Sequence, residues 1–173
     1  MGKRINGWQR MATDGETDKR MEGMAGKQKG LVEDAPQSDV TYQVIGLAMA
    51  VHNDLGPGHR EVVYQRALTA RLCDADLNFA EEPCISVEVD DGTVVGIYYP
   101  DFVVEGVVVV EIKARSHLLT NDEIAQVIDY FAGTNCEVAL LINFGRPRLE
   151  WRRLFPPRKV SEHRRKKWGK TLE

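Results

Sequence analysis

Four consecutive valines, Val107 to Val110, constrain this chain more than any other stretch of its 173 residues. A strand points alternate side chains to opposite faces, so an unbroken apolar run must bury both faces and belongs in the middle of a sheet. The run continues into Glu111-Ile112-Lys113, and Asp101 to Val104 precedes it across Glu105-Gly106. Two β-prone stretches on either side of a two-residue turn containing Gly predict a tight hairpin. The second arm of that hairpin is a central strand.

The flanking sequence supplies the other layers. Val40, Val44, Leu47, Ala48, Val51 and Leu55 recur at helical spacing, with Ser38 or Asp39 as cap and Gly56-Pro57-Gly58 as stop. A second helix from about Arg60 to Cys73 turns Val63, Ala67, Leu68 and Leu72 inward. Ile85, Val87 and Val89 alternate with polar residues, Asp90-Asp91-Gly92 is a turn, and Thr93 to Tyr98 returns as a partner strand. Thr120-Asn121-Asp122-Glu123 has the spacing of a capping box and opens a helix to about Ala132. Glu137 to Asn143 is a further buried strand, and Leu149, Trp151 and Arg153 mark an edge strand. The order is that of an α/β (α+β) fold on a mixed sheet. The expected organisation is a flexible extension over 1–37, one domain over 38–155 and a loose basic tail over 156–173.

Charge is unevenly spread. The formal net charge is only -3, yet Leu72 to Asp91 holds seven acids and no base, and Arg158 to Lys170 holds seven bases and one acid. Such asymmetry permits a basic contact surface on a mildly acidic protein. Cys73, Cys84 and Cys136 form no CxxC pair, which argues against a zinc or iron–sulfur site and suits a reducing cytoplasm. No apolar stretch is long enough for a bilayer, and Lys3-Arg4 lead into no apolar signal segment, so no membrane association is expected.

The hairpin also carries the chemistry. Glu111 and Lys113 are two apart in one strand and share a face, while Ile112 points into the core. The turn at Glu105-Gly106 sets Asp101 opposite Val110 or Glu111. Two carboxylates then converge beside an amine. That is a donor set for a hard dication such as Mg²⁺, which takes one or two carboxylates and completes its shell with water and substrate oxygens. Without a cation the two acids repel, so one of them should hold its proton unusually well.

Gly58-His59-Arg60-Glu61-Val62-Val63-Tyr64 resembles the signature of the GxxExxY family, which looks like a RecB-like branch of the PD-(D/E)XK nuclease superfamily. The resemblance continues through Pro100-Asp101, Glu111-Ile112-Lys113, Gln126 to Tyr130 and Leu141 to Pro147. It implies a restriction-endonuclease-like αβββαβ core flanked by helices. It implies Asp101 and Glu111 as metal ligands with the Ile112 carbonyl, Glu61 approaching the metal from its helix, and Lys113 as the catalytic lysine. Gln126 and Tyr130 match the QxxxY motif and sit four apart on one helix face. The implied activity is Mg²⁺- or Mn²⁺-dependent hydrolysis of phosphodiester bonds, in DNA before RNA. The alternative is a catalytically silent nucleic-acid-binding module, or a subunit of a larger nucleic-acid-processing complex; a homodimer is also open.

Outside these motifs, Arg146, Arg148 and Arg152 are candidate phosphate contacts after the last buried strand, and Arg164 to Trp168 pairs basic charge with an aromatic. His59 and Arg60, a departure from the resembling family, read as surface, and Tyr64 as a structural ring. His52, His117 and His163 lack metal-ligand spacing.

Overall fold

The computed structural model describes residues 37–168. The extension expected over 1–37, apart from Gln37, lies outside the described residues. In chain order the elements are α1 (Ser38–Leu55), α2 (Glu61–Asp74), β1 (Phe79–Glu81), β2 (Ile85–Glu88), β3 (Val94–Tyr98), β4 (Phe102–Val104) and β5 (Val108–Lys113). They continue with α3 (Asn121–Tyr130), β6 (Val138–Asn143), β7 (Glu150–Leu154) and α4 (Arg158–Trp168).

A five-stranded mixed sheet runs β1-β4-β5-β6-β7, and β2 and β3 form a separate two-stranded ribbon. Only β5 and β6 pair in parallel. Every residue of both is buried, as a strand covered on two faces must be. The succession α2–β1–β4–β5–α3–β6 is the expected αβββαβ core, with the ribbon inserted between its first two strands.

One apolar core lies between the sheet and the first two helices. It joins Val44, Ala48 and Val51 of α1 and Leu68 and Leu72 of α2 to Val108, Val110 and Ile112 of β5. A second lies under α3 and joins Val127, Tyr130 and Phe131 to Val109, Ala139 and Leu141. The turn between β4 and β5 has φ 51° at Glu105 and φ 68° at Gly106, the backbone of a two-residue hairpin whose twist matches its strands.

Several expectations need correction. Leu55 and Val63 are exposed. The inner face of α1 turns toward Thr41, Ile45 and His52, since the two polar residues carry their own partners inward. Thr41 donates to the carbonyls of Gln37 and Ser38, and His52 Nε2 lies 2.8 Å from the Arg146 carbonyl. On α2, Tyr64 takes the inward position beside Val63 because its ring stacks on Phe144 at 4.7 Å. The cap of α1 is Gln37, in a left-handed conformation, rather than Ser38 or Asp39. Strand β1 goes unannounced in the sequence, since Phe79-Ala80-Glu81 is short and half polar. Within the segment expected to be loose, Arg158–Trp168 is helical, helped by the Arg158–Glu162 pair at 2.8 Å one turn apart.

Candidate active site

The register of β4 on β5 pairs Phe102 with Val110, so Asp101 stands beside Glu111 at the next step. Its Oδ2 accepts from the Ile112 backbone N–H at 2.6 Å. Glu111 and Lys113 face α3, whereas the Ile112 side chain is sealed in the other core. Lys113 Nζ donates to Glu111 Oε1 at 2.7 Å, with only 7% and 5% of the two residues exposed. The pair is interior, whereas Asp101 is partly buried and Gln126 is exposed.

Burying two ions requires that their remaining lone pairs and protons find partners. The Tyr130 hydroxyl donates to Glu111 Oε2 at 3.0 Å. Gln126 Nε2 donates to the Tyr130 hydroxyl at 3.1 Å and reaches Glu111 Oε1 at 3.5 Å. Burial and the adjacent Glu111 push the Tyr130 phenol well above its usual range, so it stays a neutral donor. The i, i+4 spacing of these two residues brings both to one carboxylate.

Asp101 is the unbalanced member. Burial first, then the charges of Glu111 and Glu61, raise its carboxyl from 3.8 to about 7, against the opposing pull of the Ile112 N–H and of Lys113. This is the proton retention expected of two acids with too little positive charge. Glu61, in the first turn of α2, accepts from the Ala114 N–H at 3.3 Å, immediately after Lys113. Glu61 and Glu111 thus both lie near enough to Asp101 to act on its charge, but each of the three holds a partner of its own. Among the described residues no three His, Cys, Asp or Glu side chains are gathered into a complete cation cage. The oxygen donors present still suit a hard dication, which needs only one or two carboxylates, and the raised Asp101 marks where positive charge is lacking.

Tyr64, three residues after Glu61, closes the α1–α2 turn: its hydroxyl donates to the Gly56 carbonyl at 2.7 Å and accepts from the His59 N–H at 3.2 Å. His59 and Arg60 are exposed, as expected of surface residues.

Asn143 and Glu150 escaped the sequence reading. Asn143, fully buried, is the register partner of Lys113 across β5 and β6. Its Oδ1 accepts from the N–H groups of Arg115 at 2.8 Å and Gly145 at 3.1 Å, and its Nδ2 donates to the His117 carbonyl at 3.0 Å. Gly145 is required by contact, since a Cβ there would sit 2.5 Å from the Arg115 nitrogen. Glu150 accepts from the Leu119 N–H at 3.2 Å. Together they pin the segment after Lys113. The available signal was a polar residue ending an apolar strand.

Arg146 and Arg152 converge on Glu150, at 3.4 and 3.5 Å, and Arg148 is exposed. Arg115, also exposed, lies 3.5 Å from Glu123. Arg164 donates to the Cys136 carbonyl at 2.8 Å; the side chains of 165–168 lie outside the described residues.

The fold and this site define a class. The model of the PD-(D/E)XK nuclease superfamily matches residues 38–154, more than half of the chain, and the chain belongs to that superfamily. No curated protein matches it. Among solved structures it is similar to an alkaline exonuclease (LHK-Exo) from Laribacter hongkongensis, with 12% identity, a TM-score of 0.44, and 82% of this chain and 81% of that one covered. It is similar also to SSO0001, with 16% identity, a TM-score of 0.36, and coverage of 90% and 84%. No helix among the described residues is long and apolar enough to cross a membrane.

Proposed function

We propose that this protein is a divalent-metal-dependent nuclease that hydrolyses phosphodiester bonds of DNA, with RNA as the secondary substrate. By its residue pattern it is a protein of the GxxExxY type. The observation that carries the reading is the juxtaposition of Asp101, Glu111 and Lys113 on two paired strands, with the Asp101 carboxyl raised to about 7. Asp101, Glu111 and the Ile112 carbonyl would hold Mg²⁺ or Mn²⁺, with Glu61 approaching from α2. Such an ion supplies a polarised phosphate and a bound water of lowered pKa.

The chain's own groups do the rest. Lys113 lies next to the acids and would turn toward the phosphoryl oxygens or the attacking water. Tyr130 and Gln126 hold the Glu111 carboxylate in one orientation. Arg146, Arg148 and Arg152 would hold backbone phosphates, which position a nucleic acid without reading its sequence. The ion pairs of Arg146 and Arg152 with Glu150 are long, at 3.4 and 3.5 Å, so a backbone phosphate would compete with that carboxylate for both.

The test is cleavage of plasmid and single-stranded DNA by the full chain with Mn²⁺ or Mg²⁺. Glu111→Gln should lower the rate by about 10³-fold, the scale of losing one preorganised electrostatic group. Lys113→Ala should stop cutting while metal binding persists. A wild-type chain that binds DNA but fails to cut it whichever divalent ion is supplied would instead be a silent binding module.

A further inference from the structure

The β2–β3 ribbon is not absorbed by the proposed chemistry. Its inner face is used. Ile85 is buried, the Tyr98 ring meets Tyr130 edge-on at 5.7 Å, and Gly133 comes so close that a Cβ there would lie 2.5 Å from Ile85. Its outer face shows Val95, Ile97 and Tyr99, two residues apart and each more than half exposed. A contiguous apolar row on a soluble surface marks an interaction site.

The charge around the row says what cannot bind there. From Leu72 to Ile112 the chain has no Lys, Arg or His and ten acids. Glu81, Glu82, Asp90 and Asp91 are exposed beside the ribbon. A polyanion needs cations to replace its counterions, so nucleic acid is repelled from this face. The fitting partner is a protein surface with an apolar centre and a basic border.

The same chain carries one. Between Arg152 and Arg164 there are five Lys or Arg against one acid. Exposed Phe155 lies in this segment, followed by exposed Arg158 and Lys159. Tyr98 of the ribbon and Leu154 and Val160 of this segment all pack against the core under α3, so both patches rim one side of the sheet. In a twofold pair each patch would be used twice, patch to counter-patch. That doubling matters, because one short ribbon face is small beside the roughly 800 Å² per partner of a stable interface. We infer that the ribbon's Val95-Ile97-Tyr99 face, bordered by Asp90 and Asp91, docks on the Phe155–Lys159 segment of a second copy of this chain. The inference rests on the surface and not on the hydrolase reading, so either can fail alone.

Sedimentation of the full chain over a range of concentration and salt tests it. The wild type should be a dimer that weakens as salt rises. Ile97→Glu should weaken self-association by about 30-fold or more, the scale of a central interface residue. Asp90→Lys with Asp91→Lys should dissociate the dimer, and so should Arg158→Glu with Lys159→Glu. The four changes combined should restore it, which a general folding defect would not do. Unchanged thermal melting shows that each variant folds. A chain monomeric at about 100 µM, far above the micromolar range of ordinary complexes, overturns the inference. So does a dimer indifferent to these changes, or a fourfold variant that stays dissociated.

Discussion

The two faces of β5 hold opposite chemistries one residue apart. Toward α1 and α2, Val108, Val110 and Ile112 fill an apolar core and carry no polar group themselves. Toward α3, Val109 gives way to Glu111 and Lys113, which are nearly as well buried. The first face is stabilised by area removed from water, and needs only shape. The second must supply a partner for every proton and lone pair: Lys113 and Tyr130 serve Glu111, and Gln126 steadies Tyr130. Asp101 is the residue whose charge that face leaves poorly balanced. One face is built for stability, and the other keeps a deficit of positive charge that a cation would relieve.

Substitution can break this contrast. The largest effect on stability is expected from Ile112→Ala, at about 3 kcal/mol for a large core side chain truncated. It should lower the urea midpoint while Mn²⁺ affinity changes little. An unchanged midpoint would mean that the α1–α2 side of β5 is not the load of the fold.

Asp101→Asn should do the reverse. Asn can still accept from the Ile112 N–H but carries no charge, so the metal-free protein should gain about 1–2 kcal/mol at pH 8 and lose metal binding. The folded Asp101 keeps its proton up to about pH 7, whereas the unfolded carboxyl releases it near 3.8. Between those values the folded state binds the additional proton, so the contribution of this group to stability is full below about 4 and is lost as pH rises toward 7. Melting curves across that window should show the slope in the wild type and its absence in Asp101→Asn. A dication competes with that proton, so added Mn²⁺ should raise the melting point more at pH 8 than at pH 5. Equal shifts at the two pH values would remove Asp101 from the metal-binding group.

The smallest effect sharpens the α3 side. Tyr130→Phe removes one hydrogen bond to a buried carboxylate and should cost about 1.5 kcal/mol, within the range for bonds to charged groups. Its fall in cleavage rate should appear in kcat more than in KM, since Tyr130 orients Glu111 and does not reach the solvent-facing arginines. A change confined to KM would place the tyrosine with the substrate instead.

Much of this contrast is legible in the chain, because it is local. Strand alternation puts Glu111 and Lys113 together and Ile112 apart. The Glu105-Gly106 turn sets Asp101 against Glu111 to within one residue. The capping box forms in both directions, with the Thr120 hydroxyl accepting from the Glu123 N–H at 3.3 Å and the Glu123 carboxylate from the Thr120 N–H at 2.8 Å. What escaped was either weak in pattern or long in range. Strand β1 is three residues with one large apolar group. The inward turn of α1 depends on His52 finding the Arg146 carbonyl, 94 positions away.

The sequence by itself determined the central strand, its hairpin and the side of that strand on which an acid and an amine stand. These follow from dihedral periodicity and turn geometry over fewer than about a dozen residues. Only the tertiary structure decided that Glu111 and Lys113 would be enclosed, that Glu61 would meet Ala114, and that Asn143 and Glu150 would pin the segment between Lys113 and α3. The contacts of Glu61, Asn143 and Glu150 are hydrogen bonds between residues tens of positions apart. Their partners are chosen by how helices seat on a sheet, which no short-range pattern records.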